Sequence, residues 1–111
     1  MKARNPLLAA VPYQVEQSLQ KLGANLKAAR LRRNLTIAEV AQKIGTSRFV
    51  IADAENGKPS TGIVVYAALL WTYGLIEPLS DLADPALDEE GTTLSLKRKR
   101  ARSGRKLDND F

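Results

Sequence analysis

At 111 residues the chain has room for one domain with tails, and 44% apolar residues against 5% aromatics favour aliphatic helix-on-helix packing over a β-sandwich. Cysteine and histidine are both absent, which excludes disulfides and thiolate metal sites and removes the commonest general base, so neither an enzyme nor a metal or cofactor is expected. The net charge of +5 is segregated: ten basic residues oppose four acidic ones over residues 1–58, residues 59–96 hold six acids and no base, and seven bases oppose two acids over residues 97–111. A basic head with the acids kept apart from it suits a polyanionic partner. No apolar run reaches the roughly 20 residues that span a bilayer, and Met1 to Val11 lacks the sustained apolar core of a leader, so a cytoplasmic location is expected.

Residues 1–12 hold two prolines and no period, and read as a flexible arm. Leu19, Leu22, Leu26 and Ala29 recur at helical spacing and predict an amphipathic helix over Tyr13 to Arg33. Gly23 inside it costs about 1 kcal/mol relative to alanine. Arg30, Arg32 and Arg33 suit the negative end of the helix dipole, and Arg32 and Arg33 are equally candidates for phosphate contact. Thr36 and Glu39 form a capping box that starts the next helix. Ala38, Val40, Ala41 and Ile44 give that helix its apolar positions, and Gly45 ends it. Ser47 caps a further helix reaching about Asn56, stopped by Gly57 and Pro59. Two short helices joined by a tight glycine turn make a helix-turn-helix unit, with Arg48 and Phe49 on the opening turn of its second helix.

Ser60 can cap a helix running to about Tyr73, with Gly74 at its end. Ile63 to Trp71 is apolar around the whole circumference, so part of this helix is expected to meet a second copy of the chain. Val64, Leu69, Trp71 and Tyr73 are the candidate dimer contacts; for Trp71 and Tyr73 the core is the other reading. Pro78 suits the first turn of a fifth helix, Glu77 to about Ala83, which closes a domain over residues 13–83. An acidic linker over residues 84–96 follows, in which Asp88, Glu89 and Glu90 read as an exposed loop and Thr92 to Leu96 alternates enough for a short strand. The basic tail, residues 97–111, has little to bury and is expected to be disordered. Its Lys97, Arg98, Lys99 and Arg100 either add phosphate contacts, dock on an acidic partner, or are simply solvated.

The segment A-E-V-A-Q-K-I-G-T-S-R-F-V-I-A-D-A-E-N-G-K-P, Ala38 to Pro59, resembles the Cro/C1-type helix-turn-helix of phage repressors. The similarity runs from about Leu22 to Leu75. It implies an all-α, five-helix, lambda-repressor-like domain whose second and third helices read DNA. By that resemblance Gln42 faces the sugar-phosphate backbone, although an exposed polar position is its other reading. Arg48 and Phe49 meet base edges, with Ala52 and Asp53 one turn later, while Lys58 lies near a phosphate; Lys43, apart from the resemblance, is a further candidate for phosphate contact. Arg30 and Glu55 correspond to a buried structural pair. Ile37 stands where phage repressors often carry a polar residue.

Arginine pairs bidentately with guanine, which gives Arg48 its role. Phe49 either packs on a thymine methyl or belongs to the edge of the core. Asp53 repels phosphate unless it faces a cytosine amino group or a partner arginine. Ser47 caps its helix, whose free amides can also receive phosphate oxygens. The order of module, apolar helix, acidic linker and basic tail is similar to HipB-type antitoxins. That likeness implies a homodimeric repressor of its own operon at an inverted-repeat operator, bound to a HipA- or HipT-like kinase and, in tripartite systems, a small HipS-like partner. A stand-alone phage-type or metabolic regulator, and a protein-interaction module without DNA binding, stay open beside it.

Overall fold

The computed structural model describes the backbone of residues 5–109 and the side chains of residues 5–103. Among the described residues the chain forms seven α-helices and one 3-10 turn, and no strand. It divides into two compact units, Met1–Ile76 and Glu77–Phe111.

The first unit opens with α1, Pro6–Ala9, where a flexible arm was expected. Its cause is local. The Asn5 Oδ1 accepts the Leu7 amide at 3.0 Å, and proline at the first helical position sacrifices no hydrogen bond. Residues 1–4 of that arm lie outside the described residues. Next comes α2, Tyr13–Arg32, and here Gly23 finds its reason: a Cβ there would stand 2.5 Å from the Glu55 carbonyl oxygen and 2.6 Å from that of Ala54. The two helices cross backbone to backbone, which only glycine permits.

The capping box forms at the start of α3, Ile37–Ile44, with the Thr36 hydroxyl accepting the Glu39 amide and the Glu39 carboxylate accepting the Thr36 amide, both at 3.0 Å. Gly45 ends the helix in the left-handed region at φ 82°. Ser47 Oγ then accepts the Val50 amide at 3.3 Å and starts α4, Arg48–Glu55. The next helix, α5, spans Ile63–Thr72 and begins later than expected. Ser60 does not cap it; the chain turns at Thr61, whose amide reaches the Lys58 carbonyl, and Gly62 is the cap residue.

The core is where these helices meet, and α4 touches α2, α3 and α5. Leu26 and Ala29 from α2, Val40 and Ala41 from α3, Ile51 and Ala54 from α4, and Tyr66 and Leu69 from α5 close it, with Tyr73 just beyond.

The second unit corrects three further expectations. Its α6 is a single turn, Glu77–Ser80, and the chain leaves it through Ala83 at φ 60°, so the expected reach to Ala83 is not attained. The acidic loop contains a 3-10 turn, Pro85–Leu87, capped by Asp84. Then α7 runs from Glu89 to Asn109, through both the expected strand at Thr92 to Leu96 and the tail expected to be disordered. Asp88 starts it, accepting the Gly91 amide on its carboxylate at 2.9 Å, and the Thr92 and Thr93 hydroxyls bond back to the Asp88 and Glu89 carbonyls. Acids in the first turn with bases after them match the helix dipole, and leucine, lysine and arginine are good helix formers. Positions 110 and 111 of the tail lie outside the described residues.

Candidate nucleic-acid interface

One face of α4 is committed to the interior and the other is not. Ile51, Ala54 and Glu55 are buried, whereas Arg48 and Phe49 are exposed and Ala52 and Asp53 half-buried. These four outward residues stand at i, i+1, i+4 and i+5, which puts them on one side of the helix.

The helix is held in that attitude by Arg30. Its Nε donates to Glu55 Oε2 at 2.7 Å and its Nη2 to Glu55 Oε1 at 3.0 Å, while Nη1 donates to the Leu35 carbonyl at 3.0 Å. One buried guanidinium therefore ties α2 to the end of α4 and to the loop that enters α3. The Glu55 hydrogen bonds raise its pKa above the ordinary arginine value, so it stays charged.

Arg33, a candidate phosphate contact, is engaged elsewhere. Its Nη1 donates to the Ala29 carbonyl and its Nη2 to the Tyr73 carbonyl, both at 2.8 Å, and the guanidinium lies 5.4 Å from the centre of the Tyr73 ring. It closes the end of α2 onto the end of α5. Arg32 beside it is exposed and makes no ion pair among the described residues.

Asp53 meets Lys58 within its own chain: Nζ to Oδ2 is 3.5 Å, and the Lys58 amide donates to the Asp53 carbonyl at 3.0 Å. The carboxylate thus faces the outer surface already paired. Tyr66 helps fix the Lys58 loop by donating its hydroxyl to the Lys58 carbonyl at 3.4 Å. Tyr66 escaped the sequence reading. Its signal was available, since a tyrosine in an otherwise apolar helix has a hydroxyl that needs a partner. Gln42 and Lys43 are exposed on α3, and Ser47 is the cap that orients Arg48 and Phe49. Lys97, Arg98, Lys99 and Arg100 are exposed on α7, in the other unit.

The candidate dimer contacts split. Val64 and Trp71 are exposed, 72% and 66%, but Leu69 is fully buried and Tyr73 nearly so, which leaves neither a surface to offer a second chain. Burial raises the pKa of the Tyr73 hydroxyl above its ordinary value. The outward stripe of α5 is instead Ile63, Val64, Ala67, Ala68 and Trp71, spaced by three and four residues.

A family model described as a helix-turn-helix domain matches residues 21–83, more than half of the chain. The chain belongs to the helix-turn-helix domain family. No curated protein matches it. In such domains the second helix of the motif enters the DNA major groove while the first crosses the backbone; α4 and α3 are the corresponding helices in chain order. No helix among the described residues is long and apolar enough to cross a membrane.

Proposed function

We propose that the chain is a homodimeric, sequence-specific DNA-binding repressor that places α4 in the major groove. The observation that carries this reading is the division of α4. Its Arg48, Phe49, Ala52 and Asp53 face outward, its opposite side is locked into the core by Arg30 and Glu55, and exposed Gln42, Lys43 and Lys58 sit on the neighbouring segments. Base readers stand on α4 and backbone contacts flank it, the sorting that specific recognition needs.

Dimerisation is supported by the outward stripe of α5. Ile63, Val64 and Trp71 are all more than two-thirds or close to two-thirds exposed, in a sequence position where nothing else in the first unit covers them. Two-fold pairing through that stripe calls for an inverted-repeat operator with half-sites about 34 Å apart or a multiple of it. The finer identity we assign is a HipB-like autoregulator of a HipA-type kinase operon. Its support is the order of module, apolar helix, acidic segment and basic end, with α7 taking the place of the strand and loose tail.

The test has two arms. Gel-shift titration with the duplex upstream of the chain's own gene should give saturable binding that survives excess random duplex, and Arg48→Ala should weaken it about 10-fold or more while leaving random duplex nearly unaffected. Equal loss on both duplexes would reduce Arg48 to a phosphate contact, and no preference for any duplex would overturn the reading. Sedimentation should show a dimer that Val64→Asp converts to a monomer. Affinity capture from the native host should recover a kinase; its absence removes the antitoxin identity and leaves a stand-alone regulator.

A further inference from the structure

Phe49 is 76% exposed at the opening of the helix proposed to enter DNA, where a large apolar ring is held in water. The core takes Ile51 and Ala54 from the opposite face of α4 and does not include Phe49. Beside the ring lies an open groove of about 900 Å³ with Leu31, Leu35, Ile37 and Ala52 in its walls, next to Arg48. The groove explains Ile37: an apolar residue at the start of α3 continues an apolar wall.

We infer that Phe49 and the wall beside it take the 5-methyl group of a thymine adjacent to the guanine that Arg48 reads. This rests on the DNA-binding reading and sharpens it to one base step. In the major groove only thymine presents an apolar group; the other edges there are amino groups, ring nitrogens and carbonyls. Phe49 and Ala52 have no side-chain donor or acceptor, so a cytosine amino group set against them would lose its water and gain no partner. Thymine is selected both by the methyl contact and by that penalty on cytosine.

Arg48 precedes Phe49 in the chain and makes no ion pair among the described residues, so its five donors are available to a neighbouring guanine. Asp53, one turn beyond Phe49, is drawn to Lys58 and does not compete for Arg48.

The experiment selects bound duplexes from a random pool with the full chain, then replaces each thymine of the selected site by deoxyuridine. That exchange keeps base pairing and removes one methyl group. The selected site should contain a thymine next to a guanine in each half. Deoxyuridine at that thymine should weaken binding about fourfold, the worth of one buried methyl group, and should have no effect at the other thymines. In Phe49→Ala the same exchange should have no effect, because the methyl has lost its contact. The variant's melting temperature should match the parent's, since the ring is mostly exposed and is not among the buried residues of the core.

Insensitivity at every thymine, or a loss of the same size in Phe49→Ala, would overturn the inference while leaving DNA binding intact. Failure to enrich any sequence would overturn the DNA reading itself and the inference with it.

Discussion

At Arg30 a buried charge links three segments that have to agree if α4 is to present its outer face. Its two bonds to Glu55 and one to the Leu35 carbonyl leave little of the guanidinium unsatisfied. Removing one partner strands the other's charge in the interior. Arg30→Met should therefore cost about 3–5 kcal/mol, read from the shift in urea midpoint, whereas Arg30→Met with Glu55→Leu should recover much of that loss. A double variant no more stable than the single one would contradict this. Asp53 is the opposite case, a partly exposed carboxylate on the outer face of α4, the face proposed to meet DNA. Exposed pairs stabilise folds little, so the Lys58 contact adds little to stability. Asp53→Asn should leave the melting temperature unchanged and raise affinity for random duplex several-fold, with less preference for the specific site; unchanged random-duplex affinity would remove Asp53 from the interface. Neither the Lys58 pairing nor the commitment of Arg33 to Tyr73 was legible in the sequence. The first depends on how the chain turns after α4, and the second joins residues that are distant along the chain and meet only once the helices are packed.

The elements with local causes were the legible ones. Thr36 with Glu39, Gly45 and Ser47 fix the ends of α3 and α4 through contacts within a few residues, so the helix-turn-helix and the all-α class could be read directly. The phase of α5 could not, because a helix apolar all round carries no sign of which face turns inward; Leu69, expected at a dimer contact, is in the core, and of the two readings open for Tyr73 the structure takes the core. The start of α7 is not legible because the alternation at Thr92 to Leu96 is short, and the Asp88 cap that overrides it sits in a run of acids with the composition of a loop. Gly23 was seen only as a weak point in α2, while its function is contact. Gly23→Ala, a better helix former, should still destabilise by about 1–3 kcal/mol, since the added carbon meets backbone carbonyls of α4 that cannot step aside. Stabilisation in a thermal melt would show that the two helices can part without cost. In α7, Arg98 and Arg102 are one turn apart with like charge between them, and a polyanion relieves such repulsion. Deleting residues 97–111 should flatten the dependence of duplex affinity on salt, each lost phosphate contact lowering the slope by about 0.9. An unchanged slope would leave α7 without a role on DNA.

For the molecule as a whole, the absence of histidine means that stability should barely change around neutral pH. The limits come from groups whose ionisation differs on folding. Hydrogen bonds from the Thr36 amide and hydroxyl lower the Glu39 pKa, so the unfolded chain takes up that proton first as acid is added. Its contribution is complete above the ordinary carboxylate range and fades as pH falls below about 4. On the alkaline side the raised pKa of Tyr73 makes the unfolded chain lose its proton first, so stability falls as pH rises past about 10. Glu39→Gln, which keeps an acceptor for the Thr36 amide, should flatten part of the acid limb in urea titrations. Tyr73→Phe should flatten part of the alkaline limb at little cost, because that buried hydroxyl has no hydrogen-bond partner among the described residues. Unaltered limbs would mean other groups set both limits. The outward stripe of α5 has one more consequence. Trp71 is the sole indole of the chain and stands in water on that stripe. Its emission should lie near that of a fully hydrated indole and be open to iodide quenching in the free protomer, then move to the blue and become shielded once anything covers the stripe. Each molecule thus carries an unlabelled optical gauge of whether that stripe is covered, readable across a dilution series.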